Sequence, residues 1–203
     1  MIVTIVHAAV PAPAGAQLAS QLARLRAGHG RDVVLLDADR TRGGSLSEEL
    51  ERLLARHDDV VIDAGGDGPA CRSALIAAQV ALVPLAPEQA DVDARYGLIA
   101  RLNHARMFNP GLRVLFVAIG GAHDPAPAAL CAMRAYAAQV MSAGVADTVL
   151  HLPDYRSAAE MAALYEEVYQ APHAPPQPRR RTTFAYAHPA DGRLLQKQGT
   201  NRP

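Results

Sequence analysis

Two apolar runs in the first third of the chain end on aspartate: Val33-Val34-Leu35-Leu36-Asp37 leads into Ala38-Asp39, and Val60-Val61-Ile62-Asp63 into Ala64-Gly65-Gly66. Carboxylates delivered to the end of a buried strand are the groups that hold Mg²⁺, directly or through water, or orient an attacking water in nucleotide hydrolases. The same residue type closes turns and caps helices by accepting backbone N–H groups. Both uses stay open for Asp37, Asp39 and Asp63. Histidine offers less. None of the eight stands in HxxE, HxH or HExxH spacing, and His7, which ends the first apolar run, is expected to hydrogen-bond or cap. Cys71 and Cys131 form no CxxC, which predicts buried free thiols in place of a disulfide or metal site. Ser73 lies in no GxSxG elbow, so nucleophilic hydrolysis has no support.

The elements that would position these carboxylates are legible from periodicity. Strand-like runs fall at Ile2–His7, Val33–Asp37, Val60–Asp63, Val80–Leu85, Arg113–Ile119 and Thr148–Leu152, mostly as continuous apolar stretches suited to a parallel sheet covered on both faces. Leu18, Leu22 and Leu25 recur at helical spacing before Gly28 and Gly30. Ser45–Glu48 and Ser157–Glu160 have capping-box spacing and open helices over Leu46–Arg56 and Ala158–Tyr169. Further helices are predicted at about Arg72–Gln79, Asp93–Met107 and Ala126–Ala143. Alternating strand and helix predicts an α/β fold, a doubly wound and mostly parallel sheet with helices on both faces and ligands at the carboxyl ends of the strands.

The zero net charge is unevenly divided. Residues 1–170 hold 14 Arg against 19 Asp and Glu, a net −5, whereas residues 171–203 hold 5 Arg and 1 Lys against 1 Asp, a net +5. Beyond Gln170 the chain turns Pro-rich. The prediction is one α/β domain over 1–170 and a basic, largely disordered tail over 171–203. Arg179-Arg180-Arg181 with nearby Phe184 and Tyr186 suits phosphate contact and base stacking, but equally a protein-docking or solubilising segment. Arg95, Arg101 and Arg106 read either as a solvated helix face or as nonspecific DNA contacts. No run reaches the ~20 apolar residues of a membrane span, and the opening Met1–Val6 reads as a strand without a basic n-region, so a cytoplasmic protein is expected.

Gly30-Arg-Asp-Val-Val-Leu-Leu-Asp-Ala-Asp39 resembles the second-strand signature of the ParA/MinD-type P-loop ATPases. Asp59-Val-Val-Ile-Asp63 with its Gly-rich turn is similar to their Walker B segment, and Arg72 to Pro87 to the helix and strand that follow. The resemblance spans residues 1 to about 169. It implies a P-loop NTPase fold, a possible self-association face, and roles in plasmid or chromosome partition, conjugation or the placement of cellular machinery. The family's deviant Walker A loop, KGGxGKT[ST], would fall on Val10-Pro11-Ala12-Pro13-Ala14-Gly15-Ala16-Gln17. Pro11 and Pro13 lack an N–H, Gly15 stands at the lysine position, and Ala16 and Gln17 replace the hydroxyls. The one lysine of the chain is Lys197. The helix start near Ala16 keeps a dipole suited to weak anion binding. The adenine-side loop would be Ile119-Gly120-Gly121-Ala122-His123-Asp124, without the asparagine relatives often carry.

The reading is therefore a ParA/MinD-like pseudo-ATPase that binds and positions protein partners, with no cofactor and with homodimer formation as an option. One alternative is an active ATPase that holds Mg-ATP through Asp37 or Asp39 and Asp63. Another is a DNA-binding accessory protein that uses its tail.

Overall fold

Strand and helix alternate throughout the described residues of a computed structural model, which are 1–6, 12–40, 45–66, 68–92, 95–121, 123–151 and 157–169. The order is β1 (Ile2–Val6), α1 (Ala12–Gly28), β2 (Val33–Asp37), α2 (Leu46–Leu54), β3 (Asp59–Ala64), α3 (Pro69–Ala77), β4 (Val80–Leu85), α4 (Tyr96–Phe108), β5 (Arg113–Gly120), α5 (Pro127–Ala137), β6 (Ala143–His151) and α6 (Ala158–Tyr169). All belong to one compact unit, Met1–His173. The expected boundary at 170 and the tail with Arg179, Arg180 and Arg181 lie outside the described residues, as do His7 and Pro11.

The strands form one sheet in the order β2-β3-β1-β4-β5-β6, every neighbouring pair parallel. From β1 the chain steps outward past β3 to β2, then returns across the sheet to β6. Right-handed crossovers taken in opposite directions put their helices on opposite faces. Packing follows that rule. Leu18 and Leu22 of α1 join Leu164 and Val168 of α6 over Val3, Ile5, Val61 and Leu82. Leu50 of α2, Leu75 of α3, Leu102 of α4 and Tyr136 of α5 cover Ile62, Val83 and Phe116 on the other face. The alternation of strand side chains is visible here: Ile2 and Val6 belong to the second layer, Val3 and Ile5 to the first.

Pro84 sits inside β4, where a missing N–H should break a central strand. The register removes the conflict. Among the described residues β1 pairs with β4 from Val80 to Leu82, whereas β5 accompanies β4 over its full length, so among them Pro84 has β5 as its one neighbour.

The sixth strand and the fifth helix depart from expectation. Met133, Tyr136, Ala137 and Val140 have helical spacing and are all buried in one layer, which is why an alanine-rich helix to Ala143 was predicted. The chain instead leaves α5 after Ala137. Ser142 adopts φ 54°, and β6 begins at Ala143, five residues ahead of the expected Thr148. Cys71 is buried as expected, but Cys131 is exposed on α5.

The amino edge of the sheet is fastened by one carboxylate. Asp59, which opens β3, is 1% exposed. It receives the Met1 ammonium at 2.8 Å, Arg26 Nε at 2.8 Å and Arg31 Nε at 3.3 Å. Arg26 also donates to the Tyr165 hydroxyl at 3.1 Å and lies 4.3 Å from the centre of the Tyr169 ring. Burial alone pushes the Asp59 carboxyl up, yet hydrogen bonds from the Met1 ammonium and Arg26, with their charges, hold it below the ordinary carboxylate value. Burial likewise pushes the Tyr169 phenol well up, reinforced by the charge of Asp59.

Candidate functional site

The carboxyl edge of the sheet gathers the ends of all six strands, and the sequence-predicted carboxylates arrive there as neighbours. Asp37 ends β2 directly beside Asp63 of β3, which in turn is level with Ile5 of β1. Side-chain alternation puts both aspartates on the face that carries α1.

Their surroundings differ. One Asp37 oxygen accepts the Asp39 backbone N–H at 3.0 Å, and the other meets Arg40 Nε at 3.1 Å. Asp37 thereby closes the short 3-10 turn Ala38–Arg40, the turn-forming use of a strand-end aspartate. Asp39 lies exposed within that turn, beyond the strand end. Asp63 is half-buried and takes part in contacts of its own. Among the described residues no group of three or more His, Cys, Asp and Glu is arranged to cage a metal ion. A Mg²⁺ bound by Asp39 and Asp63 would have to draw most of its six ligands from water and phosphate.

The segment aligned with the phosphate loop is largely helix. α1 starts at Ala12, about one turn ahead of the expected start near Ala16. Ala14 and Gly15 are buried, and Ala16 and Gln17 stand half-buried in the following turn. By the i to i−4 rule, the N–H groups of Ala16 and Gln17 are committed to the carbonyls of Ala12 and Pro13. Pro13 fits the first turn because its missing N–H has no intrahelical partner to lose. The N–H groups of Ala16 and Gln17 are thus taken up within the helix, where a phosphate loop of the expected register would turn them to the ligand.

Turn chemistry after β3 matches the glycines. Gly66 takes φ +65°, a conformation glycine adopts without strain, and its carbonyl accepts Arg101 Nη1 at 2.9 Å. Arg106 of α4 and Arg95, the residue just before the helix, are used in the same way. Arg95 donates to the carbonyl and side chain of Gln89, each at 2.8 Å, and Arg106 to the carbonyls of Leu112 and Pro110. These three side chains fasten α4 to flanking loops.

The sequence reading missed a histidine bracketed by carboxylates at the β5–β6 end of the edge. His151 Nδ1 lies 3.0 Å from Glu160 Oε1, Nε2 lies 3.1 Å from Asp124 Oδ1, and the His151 backbone N–H donates to Glu160 Oε2 at 3.2 Å. Neutral imidazole has one N–H, so donation to both carboxylates at once requires the imidazolium form. The ring lies over Gly120: a Cβ there would fall 2.8 Å from His151 Cδ2. Glu160 belongs to the Ser157 capping box, and its N–H does donate to Ser157 Oγ at 3.2 Å, but its carboxylate turns to His151. The rule that singled out Asp37 and Asp63, a polar residue ending an apolar strand, applies equally to Val149-Leu150-His151.

The fold is an all-parallel α/β sheet covered by helices on both faces, P-loop NTPase-like in architecture. No protein-family model matches the chain, and no curated protein matches it. Among solved structures, cobyrinic acid a,c-diamide synthase from Mycobacterium smegmatis is similar, with a TM-score of 0.55 and 14% sequence identity over 82% of this chain and 91% of that one. The same enzyme with bound ADP and magnesium gives a TM-score of 0.52 at 16% identity, over 82% and 92%. Likeness at this identity shows the shared fold.

Proposed function

We propose that this chain is a P-loop-fold protein that binds and positions partners without turning over ATP, in DNA partition, conjugation or the placement of cellular machinery. One observation carries the reading: Ala12–Gln17 of the stretch aligned with the phosphate loop forms the first turns of α1, with Ala14 and Gly15 buried, and the aligned residues offer neither lysine nor hydroxyl. Each missing charge-assisted contact is worth about 1.5–3 kcal/mol, so losing several removes most phosphate affinity. Calorimetric titration with Mg-ATP is expected to show no saturable binding at sub-millimolar concentration. A low-micromolar Kd that Asp63→Ala abolishes would overturn the reading.

That outcome would favour the second reading, an active ATPase holding Mg-ATP through Asp37 or Asp39 and Asp63. Two observations support it: the side-by-side placement of Asp37 and Asp63, and the fold neighbour with bound ADP and magnesium.

A DNA-binding role falls to the tail, because residues 1–170 carry net −5 and residues 171–203 net +5. Replacing Arg179, Arg180 and Arg181 by Ala is expected to lower the slope of log K against log[salt] for duplex DNA by up to ~2.7, read by fluorescence anisotropy at several salt concentrations. An unchanged slope would place the contact on the α/β domain. Absence of binding by the unaltered chain would remove DNA from the account.

A further inference from the structure

The two edges of the sheet are built differently. On β6, the register with β5 shifts between Phe116 and Ala118. The Asp147 and Thr148 amides at that irregularity both donate to the Glu167 carboxylate of α6, at 2.9 Å each. A bulge and a capping carboxylate are devices that keep an edge strand from recruiting another. β2 has neither. Its five residues pair with β3 in unbroken register, and Val33-Val34-Leu35-Leu36 contains no charge, proline or glycine. Leu35 is 44% exposed, and no residue of the strand is fully buried. Among the described residues nothing pairs with its outer side. The Asp32 carbonyl accepts the Asp59 N–H, so by alternation Val34 and Leu36 turn their backbone groups to β3, and Val33 and Leu35 turn theirs outward.

We infer that β2 is a docking strand for a second copy of this chain, paired antiparallel about a two-fold axis at Val34. That register puts Val33 opposite Leu35 of the other copy and Arg31 opposite its Asp37, twice over by symmetry. All four side chains lie on the α1 face: Val33 packs in that layer, Arg31 reaches Asp59 beside Arg26, and Leu35 and Asp37 follow by alternation. Both charged groups are accessible, Arg31 at 44% and Asp37 at 43%, and the cross-copy pairs would form beside the contacts each already makes in its own chain, Arg31 with Asp59 and Asp37 with Arg40. The apolar pairs supply contact, and the flanking opposite charges fix the register, since like charges directly across a ladder are destabilising. A register centred one half-step away sets Asp32 against Asp37 and loses this match. The joined edge is short, so association is weak and concentration-dependent.

The test uses the full chain. Sedimentation velocity over a concentration series is expected to show reversible dimer formation, and Leu35→Lys to raise the dimer dissociation constant at least tenfold with an unchanged melting curve. For the register, Val34→Cys in a Cys131→Ala background puts two thiols at a non-hydrogen-bonded pair, about 4.5 Å apart at Cα, within the Cα range for a disulfide. Mild oxidation should cross-link this variant and leave Leu36→Cys, which faces position 32, uncross-linked. A monomer at every concentration, or equal cross-linking of both variants, overturns the proposal. Dimers seen only after residues 171–203 are removed also overturn it, since the occupant in the intact chain would then be its own tail.

Discussion

Asp59→Asn is expected to lower the unfolding free energy at neutral pH by about 3 kcal/mol. Removing one partner of a buried ion pair typically costs about 3–5 kcal/mol, because the other charge is left uncompensated. The low end applies here. Arg31 is 44% exposed and returns to water, and Arg26 keeps the Tyr165 hydroxyl and the Tyr169 ring. The folded carboxyl lies below its ordinary value, so its contribution is complete above an unfolded pKa of about 3.9. It is lost as the pH falls through the folded value. Urea titrations of both proteins should therefore differ fully at pH 7 and converge on acidification below about pH 4. A difference that persists at low pH would mean that Asn disturbs packing and not charge.

Phe116→Ala is expected to cost about 3–5 kcal/mol. Phe116 is fully buried in the middle of β5, and its ring meets Tyr136 edge-on, with centroids 5.6 Å apart and planes at 83°. Leu85, Leu102 and Met133 belong to the same closed layer, which leaves few atoms able to fill the gap. Phe116→Leu keeps most of the volume and should cost under about 1.5 kcal/mol. Chemical denaturation of the pair separates cavity from shape. Equal losses for Ala and Leu would show that the aromatic contact, not the space, matters.

Much of the architecture could be read from the chain because strand and helix periodicities are strong where both faces are buried. The runs that became β2 and β4 were predicted to the residue. α6 also has its expected limits, and Ser45 and Ser157 each accept the predicted N–H. The boundary between α5 and β6 was not legible. The helical spacing of Met133, Tyr136 and Ala137 runs on to Val140, past the end of α5 at Ala137, and local preference cannot register that β5 offers an unpaired edge. The site was half legible. Strand-end polar residues pointed to Asp37 and Asp63, but that Asp37 bonds Asp39 and Arg40 depends on the turn adopted. The Asp124, His151 and Glu160 group joins residues from three segments, which no spacing rule connects.

The two faces of the sheet also close at different moments in the life of the chain. The layer formed by α2 to α5 grows in chain order, each helix emerging from the ribosome beside one already made. The other layer begins with α1 and waits for α6, the last described element: Arg26 must find Tyr165, 139 positions later. Until then the apolar sides of Leu18 and Leu22 lack their final cover, although α1 is among the earliest segments synthesised. A nascent chain stalled before residue 158 would therefore present α1 as a binding site for chaperones, and its release from them should coincide with the appearance of α6.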